Sequence, residues 1–200
     1  AGASVLYGGL LQNTKYVYST GREQADWKVL VDSSENNLHN TSPRHYFGAN
    51  AQLKYMNAKG LTTEFRAEFM AGKQTGTANN SETPVALISG NDGFRIREFN
   101  GAYLYLLQHI FNKKHQLLLK YDWYDPNTKV SGKQLGLTGG GFTAADIRFN
   151  TLGIGYLNYL TDNVKLVVYY AHTRNEQTSL AGYTGDLNDD VFTFRVQFRF

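Results

Sequence analysis

Hydrophobic and polar residues alternate strictly at the end of the chain. Apolar side chains take every second position there, at Phe192, Phe194, Val196, Phe198 and Phe200. The intervening positions are polar: Thr193, Arg195, Gln197 and Arg199. Successive side chains of a β-strand point to opposite faces, so this period of two predicts a strand with one apolar face and one hydrated face.

Alternation of the same kind predicts strands along the rest of the chain. They span residues 3–11, 45–57, 61–71, 97–111, 116–124, 147–160, 164–175 and the last segment, 190–200. The parity of the segment at 97–111 stays open, because neither of its faces is consistently polar. We therefore expect about eight strands, each near the roughly 9–11 residues that a tilted strand needs to cross a bilayer.

The connections between these strands alternate between short and long. Short turns fall at 58–60, 112–114 and 161–163, whereas long polar connections rich in Gly, Asn and Ser fall at 12–42, 72–95, 126–145 and 176–189. Bacterial barrels have short periplasmic turns and longer external loops. The pattern predicts an all-β fold, a transmembrane antiparallel up-and-down β-barrel whose last strand ends at the periplasmic side.

Composition narrows the class of protein further. The chain has 14 Tyr, 12 Phe and 20 Gly against 3 Pro, which favours strands, and no run of roughly 18 apolar residues that would make a transmembrane helix. It has no Cys, which excludes disulfides and cysteine-based zinc sites. A net charge of +3 on scattered basic residues does not indicate a nucleic-acid partner. Alternation begins almost at Ala1, so we expect residues 1–200 to be one barrel domain that lacks its N-terminal strands.

One face of the predicted strands carries charged residues that would line a lumen. These candidates are Lys54, Glu64, Arg66, Glu68, Lys120, Asp122, Lys165, Arg195 and Arg199. Cations outnumber anions among them, and Lys or Arg side chains in a water-filled pore favour anions. Residues that only hydrate the wall and pair with one another, as Arg66 would with Glu64 and Glu68, give the same pattern. Both interpretations stay open.

No arrangement of residues indicates catalysis, a metal or another cofactor, so we do not expect an enzyme. The five histidines lack metal-ligand spacing: His39, His45, His109, His115 and His172. The acidic run at 186–190 lacks the glycine and the terminal glutamate of an EF-hand loop. Glycines at 139–141 do not open a helix after a strand, so they do not indicate a nucleotide loop.

Five segments carry a resemblance to a known family. They are YFGANAQ at 46–52, EFRAEF with GKQ at 64–74, KYDWYDPN at 120–127, LGIGYLNY at 152–159 and DDVFTF at 189–194. Together they resemble the phosphate-selective porin family (the O and P porins), especially its Bacteroidetes-type members. The terminal phenylalanine, with apolar residues at each second position before it, resembles the C-terminal assembly signal of bacterial outer-membrane proteins.

The resemblance implies a longer barrel and a transport function. Family members have sixteen or so strands, and the similarity falls in their C-terminal half. The family implies passive diffusion of small hydrophilic solutes across the bacterial outer membrane of Gram-negative cells, with a preference for anions or phosphate. The implied partners are outer-membrane lipid and lipopolysaccharide, the barrel-assembly machinery, small anionic solutes, and a homo-oligomer or an envelope complex.

Two other classes of protein remain open at this point. A non-conducting eight-stranded barrel, whose interior is filled by side chains, would act as a structural or interaction subunit of an envelope complex. Small residues on the inner face, at Gly48, Gly153 and Gly155, favour a wider barrel instead. A soluble β-sandwich would require the apolar rows to pack against a second sheet.

The terminal strand gives a first testable prediction. Deleting Phe200, or replacing it with a charged residue, should reduce the yield of membrane-assembled protein, because the apolar row that the assembly machinery is expected to read ends there. The measurement is the amount of heat-modifiable protein in the membrane fraction. A similar change in the connection at 126–145 is the control, and equal yields for both variants would contradict the prediction.

Overall fold

Ten strands make up most of the chain in the computed structural model, which describes residues 1–84, 87–88 and 92–200. The strands are β1 (Gly2–Leu11), β2 (Val17–Glu23), β3 (Asp26–Asp32), β4 (Thr41–Met56), β5 (Thr62–Gly76), β6 (Phe94–Ile110), β7 (His115–Asp125), β8 (Phe149–Tyr159), β9 (Val164–Asn175) and β10 (Val191–Phe198). Single 3-10 turns lie at Glu35–Asn37, Gly132–Gln134 and Ala144–Asp146. Over these described ranges, no helix is long and apolar enough to span a bilayer.

Eight of the strands follow one antiparallel path. The order in the sheet is β1-β4-β5-β6-β7-β8-β9-β10, and each neighbouring pair is antiparallel. This confirms the prediction of an all-β, up-and-down antiparallel sheet, and each predicted strand overlaps one strand of the path. Residues 85, 86 and 89–91 of the connection predicted at 72–95 lie outside the described residues.

The long polar connection predicted at 12–42 contains two strands that the sequence analysis did not predict. That segment contains the hairpin of β2 and β3, and Val17–Ser19 of β2 pair in parallel with Phe94–Ile96 of β6. The pairing of β6 with β7 ends at Asn100, so the first residues of β6 have a free backbone edge on that side. Strand β2 satisfies those backbone groups, through a long-range contact that local alternation does not reveal.

The register of the path assigns each strand position to one of two faces. The apolar face exposes large hydrophobic side chains on every strand of the path, including Val5, Phe47, Phe65, Leu106, Leu119, Ile154, Val168 and Phe194. We call the opposite face the polar face. The open parity of β6 is thereby assigned: Leu104 and Leu106 lie on the apolar face, and Tyr103 and Tyr105 lie on the polar face.

The strands of the path are strongly staggered. From Val191, a row of paired residues crosses the sheet through Ala171, Gly153, Lys120, Tyr105, Arg66 and Gln52. Val191 is the first residue of β10, and the end of β1 that corresponds to it is Leu11. The row, however, would meet β1 at its other end, before Gly2. Between β10 and β1 the register is therefore offset by the full length of the 10-residue strand β1. At about 3.4 Å per residue and about 4.8 Å between strands, this offset corresponds to a tilt of about 45°.

The long connections lie together at one end of the sheet, which we call the loop end; the short turns define the turn end. The loop end has a small core of its own, made of Val130, Leu135, Phe142 and Ile147. Trp27 and Val29 of β3 pack against this core. The connection at 126–145 is therefore partly buried, and an exposed position such as Lys133 is the suitable control for the Phe200 experiment.

A buried ion pair ties these connections to the sheet. Asp146 Oδ1 accepts hydrogen bonds from Arg97 Nε of β6 at 2.7 Å and from Asn127 Nδ2 at 2.9 Å. Asn127 Nδ2 also donates to Thr20 Oγ1 of β2, and the Thr143 backbone N–H donates to Asp146 Oδ2. The side chains of Arg97 and Asp146 are each 2% exposed. One carboxylate thus joins β6, the β2–β3 hairpin and two stretches of the connection between β7 and β8.

Removing this carboxylate should destabilise the fold strongly. We expect Asp146→Ala to lower the free energy of unfolding by about 3–5 kcal/mol, because it leaves the buried Arg97 guanidinium without its counter-ion. The measurement is equilibrium denaturant unfolding of the folded protein in detergent. Asp162→Ala, in an exposed turn, should change it by less than about 0.5 kcal/mol. An Asp146→Ala variant as stable as this control would contradict the prediction.

Candidate functional site

The polar face brings together most of the charged residues that the sequence singled out. Lys54 of β4 lies opposite Glu64 of β5, and Gln52 lies opposite Arg66. The residues Glu68, Lys120, Asp122, Lys165 and Arg195 also fall on this face. Arg199 follows Phe198, the last residue of β10, and its backbone N–H donates to the carbonyl oxygen of Asn163 at the turn end.

Glu64 and Arg66 of β5 compensate each other through a close contact, whereas no carboxylate lies within 4.0 Å of Lys54 Nζ in the described residues. Glu64 Oε1 lies 2.5 Å from Arg66 Nε and accepts a hydrogen bond from Gln52 Nε2, also at 2.5 Å. The Glu64 side chain is only 9% exposed, whereas that of Arg66 is 51% exposed. Of the two glutamates that flank Arg66, the ion pair is formed with Glu64. A buried carboxylate with two donors holds the arginine against the wall.

Strands β6 and β7 continue this compensated region. Lys120 Nζ lies 2.5 Å from Asp122 Oδ2 and 5.6 Å from the centre of the Tyr105 ring. The Tyr103 hydroxyl donates to Glu68 Oε2 at 2.8 Å. Ionised and aromatic side chains therefore alternate across this part of the polar face. Its cations and carboxylates are close enough to neutralise one another.

Three cations of the last hairpin, Lys165, Arg195 and Arg199, are not compensated in this way. Lys165 Nζ lies 5.7 Å from the centre of the Tyr159 ring, and Arg195 and Arg199 are exposed. Across the part of the chain that the structure describes, no carboxylate lies within 4.0 Å of these three cationic groups. Of the predicted lumen cations without a carboxylate within 4.0 Å in the described residues, three therefore lie in the last hairpin and one, Lys54, lies on β4.

Three further arginines on the polar face were missed by the sequence analysis. Arg44 lies near the start of β4, and Arg95 and Arg97 lie near the start of β6. Arg95 Nη1 donates to the carbonyl oxygen of Gly141 at 2.8 Å, so it too contacts a loop-end connection. The signal was present in the alternation of Arg95, Ile96 and Arg97. It was not used, because the predicted strand began at residue 97 and its parity was open.

The glycines of β8 on the polar face are covered rather than open. A Cβ atom at Gly153 would lie 2.0 Å from the Tyr169 hydroxyl oxygen, and one at Gly155 would lie 3.0 Å from Tyr169 Cδ2. The ring of Tyr169, on β9, thus occupies the space above both glycines. At Gly48 the space is taken by the Ser4 side chain, 2.4 Å from the ideal Cβ position. These glycines consequently carry no information on the width of the lumen.

The apolar residues of β10 form one row on the apolar face. Phe192, Phe194, Val196 and Phe198 are all exposed there. Phe200 lies beyond the strand and is exposed as well. The recognition of this row by the assembly machinery stays a prediction.

The acidic run before β10 has a structural role. Asp190 accepts hydrogen bonds from the Tyr170 hydroxyl, from His172 Nδ1 at 2.8 Å and from the Thr173 backbone N–H. The hydrogen bond from Tyr170, and then that from His172, lowers the pKa of Asp190 below its ordinary value. Asp186 accepts from the backbone N–H of Asn175. Both carboxylates attach the last connection to β9.

The histidines and acidic residues do not converge on a metal site. Within residues 1–84, 87–88 and 92–200, no group of three or more His, Cys, Asp or Glu side chains is placed to hold a metal ion. His45 stacks on Tyr7, and His109 Nδ1 accepts a hydrogen bond from the Thr62 backbone N–H. These histidines pack against neighbouring strands.

Comparison of the chain with models of protein families, with curated proteins and with solved structures found no match. The resemblance to the phosphate-selective porins therefore stays a prediction that rests on short motifs. The function of the chain has to be argued from its two faces and from the distribution of charge on the polar one.

Proposed function

We propose that the chain forms part of the wall of an outer-membrane porin of a Gram-negative bacterium, through which small hydrophilic solutes diffuse passively. In this proposal the apolar face contacts lipid and the polar face lines a water-filled channel. No chemical step and no cofactor are involved. The channel prefers anions, and phosphate is the anion implied by the family resemblance.

The observation that carries the proposal is the separation of the two faces over eight consecutive strands. Large hydrophobic side chains are exposed on one face from β1 to β10, for example Val5 at 69% and Phe194 at 63%. The opposite face holds most of the ionised groups of the strands, although the Lys73–Glu98 pair and Arg174 lie on the apolar side near the loop end. Exposed hydrophobic surface of this extent indicates a site that contacts a protein partner or a membrane. Lipid on one side and water on the other satisfy both faces.

The stagger of the strands supports a barrel. Closing a sheet requires strands tilted by about 35–45° and a fixed offset of their register. The offset of one full strand length between β1 and β10 corresponds to a tilt at the upper end of that range. The outer edges of β1 and β10 need partners in a closed wall, and further strands, to about sixteen in total, would supply them.

The distribution of charge supports anion preference. Arg66 and Lys120 lie in contact with Glu64 and Asp122, whereas Lys165, Arg195 and Arg199, like Lys54 of β4, face no carboxylate within 4.0 Å in the described residues. Positive groups on a pore wall lower the electrostatic barrier for anions. The last hairpin, which carries three such cations, is therefore a part of the wall that attracts anions.

One observation favours the second candidate function, a non-conducting barrel that acts as a structural or interaction subunit of an envelope complex. At the loop end, connections cover the polar face so closely that Arg97 and Asp146 are each 2% exposed. If the connections covered the whole opening in this way, no solute would pass.

Ion selectivity separates the two functions. We expect Arg195→Gln and Arg199→Gln, in the full-length protein reconstituted in planar bilayers, to lower the anion-to-cation permeability ratio more than the conductance. One charge about 7 Å from the ion path contributes about 0.6 kcal/mol in water, so after screening by salt each change is about twofold. The measurement is the reversal potential in a salt gradient. Arg195 should matter more, because Arg199 lies nearer the turn end.

A matched control removes the same charge elsewhere. Lys133→Gln, in an exposed turn at the loop end, should leave the reversal potential unchanged. A wild-type channel that prefers cations, or a reversal potential unmoved by both arginine substitutions, would contradict the assignment of these residues. Folded protein that forms no channels would favour the structural-subunit function.

A further inference from the structure

A shallow depression lies on the polar face where β5, β6 and β7 adjoin. Its volume is about 290 Å³. Its polar lining consists of Glu68, Tyr103, Lys120 and Asp122. Met70 and Gly101 are among its apolar lining residues, and a Cβ atom at Gly101 would lie 3.0 Å from the carbonyl oxygen of Trp123 on the next strand. The depression has the dimensions of a site for one small molecule rather than for a polymer.

The charges of this depression select against anions. It has two carboxylates, Glu68 and Asp122, and one ammonium group, Lys120, whose Nζ is already 2.5 Å from Asp122 Oδ2. An incoming phosphate would meet a net negative lining. Carboxylates that keep free lone pairs bind hydroxyl donors well, through charge-assisted hydrogen bonds. The depression therefore suits an uncharged ligand with several hydroxyl groups.

The tyrosine gives this depression an apolar wall. The Tyr103 hydroxyl is held by Glu68 Oε2 at 2.8 Å, and its ring packs edge-on against Tyr105 with centroids 5.3 Å apart. The residue is 36% exposed, so part of the fixed ring faces solvent. Because its orientation is fixed before binding, this aromatic ring loses little side-chain entropy when a flat C–H surface packs against it.

A pyranose ring combines these two requirements, because it has C–H bonds on its faces and hydroxyl groups around its edge. We infer that this depression is a binding subsite for one sugar unit of a neutral saccharide. Tyr103 contacts the face of the ring, and Glu68 and Asp122 accept hydrogen bonds from its hydroxyls. The inference rests on the proposed function in so far as the polar face lines a solute pathway.

Saccharide binding to the full-length protein, folded in detergent, tests this inference. We expect saturation-transfer NMR signals for glucose and maltotriose, and a calorimetric titration with maltotriose that inorganic phosphate does not compete with. Tyr103→Leu should weaken maltotriose binding about tenfold, because it removes the ring. Tyr103→Phe should keep binding within about threefold of the wild type. Asp122→Asn should also weaken maltotriose binding, because it removes a carboxylate that accepts hydrogen bonds from the sugar hydroxyls. This second variant tests the inference even if Tyr103→Leu fails to fold.

Tyr121 supplies the matched control, since it is also a half-exposed strand tyrosine, at 40%, but lies on the apolar face. Tyr121→Leu should leave maltotriose binding unchanged. Absence of saccharide signals with the wild type, competition by phosphate, or equal effects of Tyr103→Leu and Tyr121→Leu would overturn the inference. Because binding is measured without conduction, channels without saccharide binding would refute only this inference, and binding without channels would refute only the porin function.

Discussion

The hydrogen-bond register between neighbouring strands is the constraint on which the rest of the structure depends. A shift of one residue in any pairing would exchange the two faces of that strand. It would move a row such as Phe192, Phe194 and Val196 to the charged side and leave Arg195 among hydrocarbon. Backbone groups inside the path are satisfied by the pairings themselves, which is what a wall in contact with lipid requires. The register thus fixes which residues share the polar face and which share the apolar face, and in the proposed function these faces contact solute and lipid.

Charge on the polar face follows from the same register, and it divides the face into two regions. On β5–β7, Arg66 and Lys120 lie within contact distance of carboxylates and close to tyrosines. On β9–β10, Lys165, Arg195 and Arg199 have no carboxylate within 4.0 Å in the described residues. We propose that the first region suits uncharged hydroxyl-rich solutes and that the second attracts anions. The number of Lys and Arg residues on the face does not distinguish these regions. The electrostatic effect of each cation depends on its distance from the nearest carboxylate.

Alternation alone predicted the eight strands of the path, since period-two patterning is a local property of the chain. The parts that it did not predict depend on long-range contacts. The β2–β3 hairpin is held by β6, whose paired residues lie 77 positions later in the chain than those of β2, as in Val17 and Phe94. The ion pair of Arg97 and Asp146 joins a strand to a connection that the composition describes only as polar. For the same reason the sequence analysis took Gly153 to favour a wider barrel, although Tyr169 of the next strand fills the space above it.

The contact of one face with water and of the other with lipid can be measured strand by strand. Because the chain has no cysteine, single cysteines carrying a nitroxide label can be placed at each position from 165 to 170 of β9, with the full-length protein in lipid vesicles. Labels at 165, 167 and 169 should be more accessible to a water-soluble nickel complex, and labels at 166, 168 and 170 to oxygen dissolved in the bilayer. Equal accessibility of the two sets, or the reverse pattern, would contradict the assignment of the two faces.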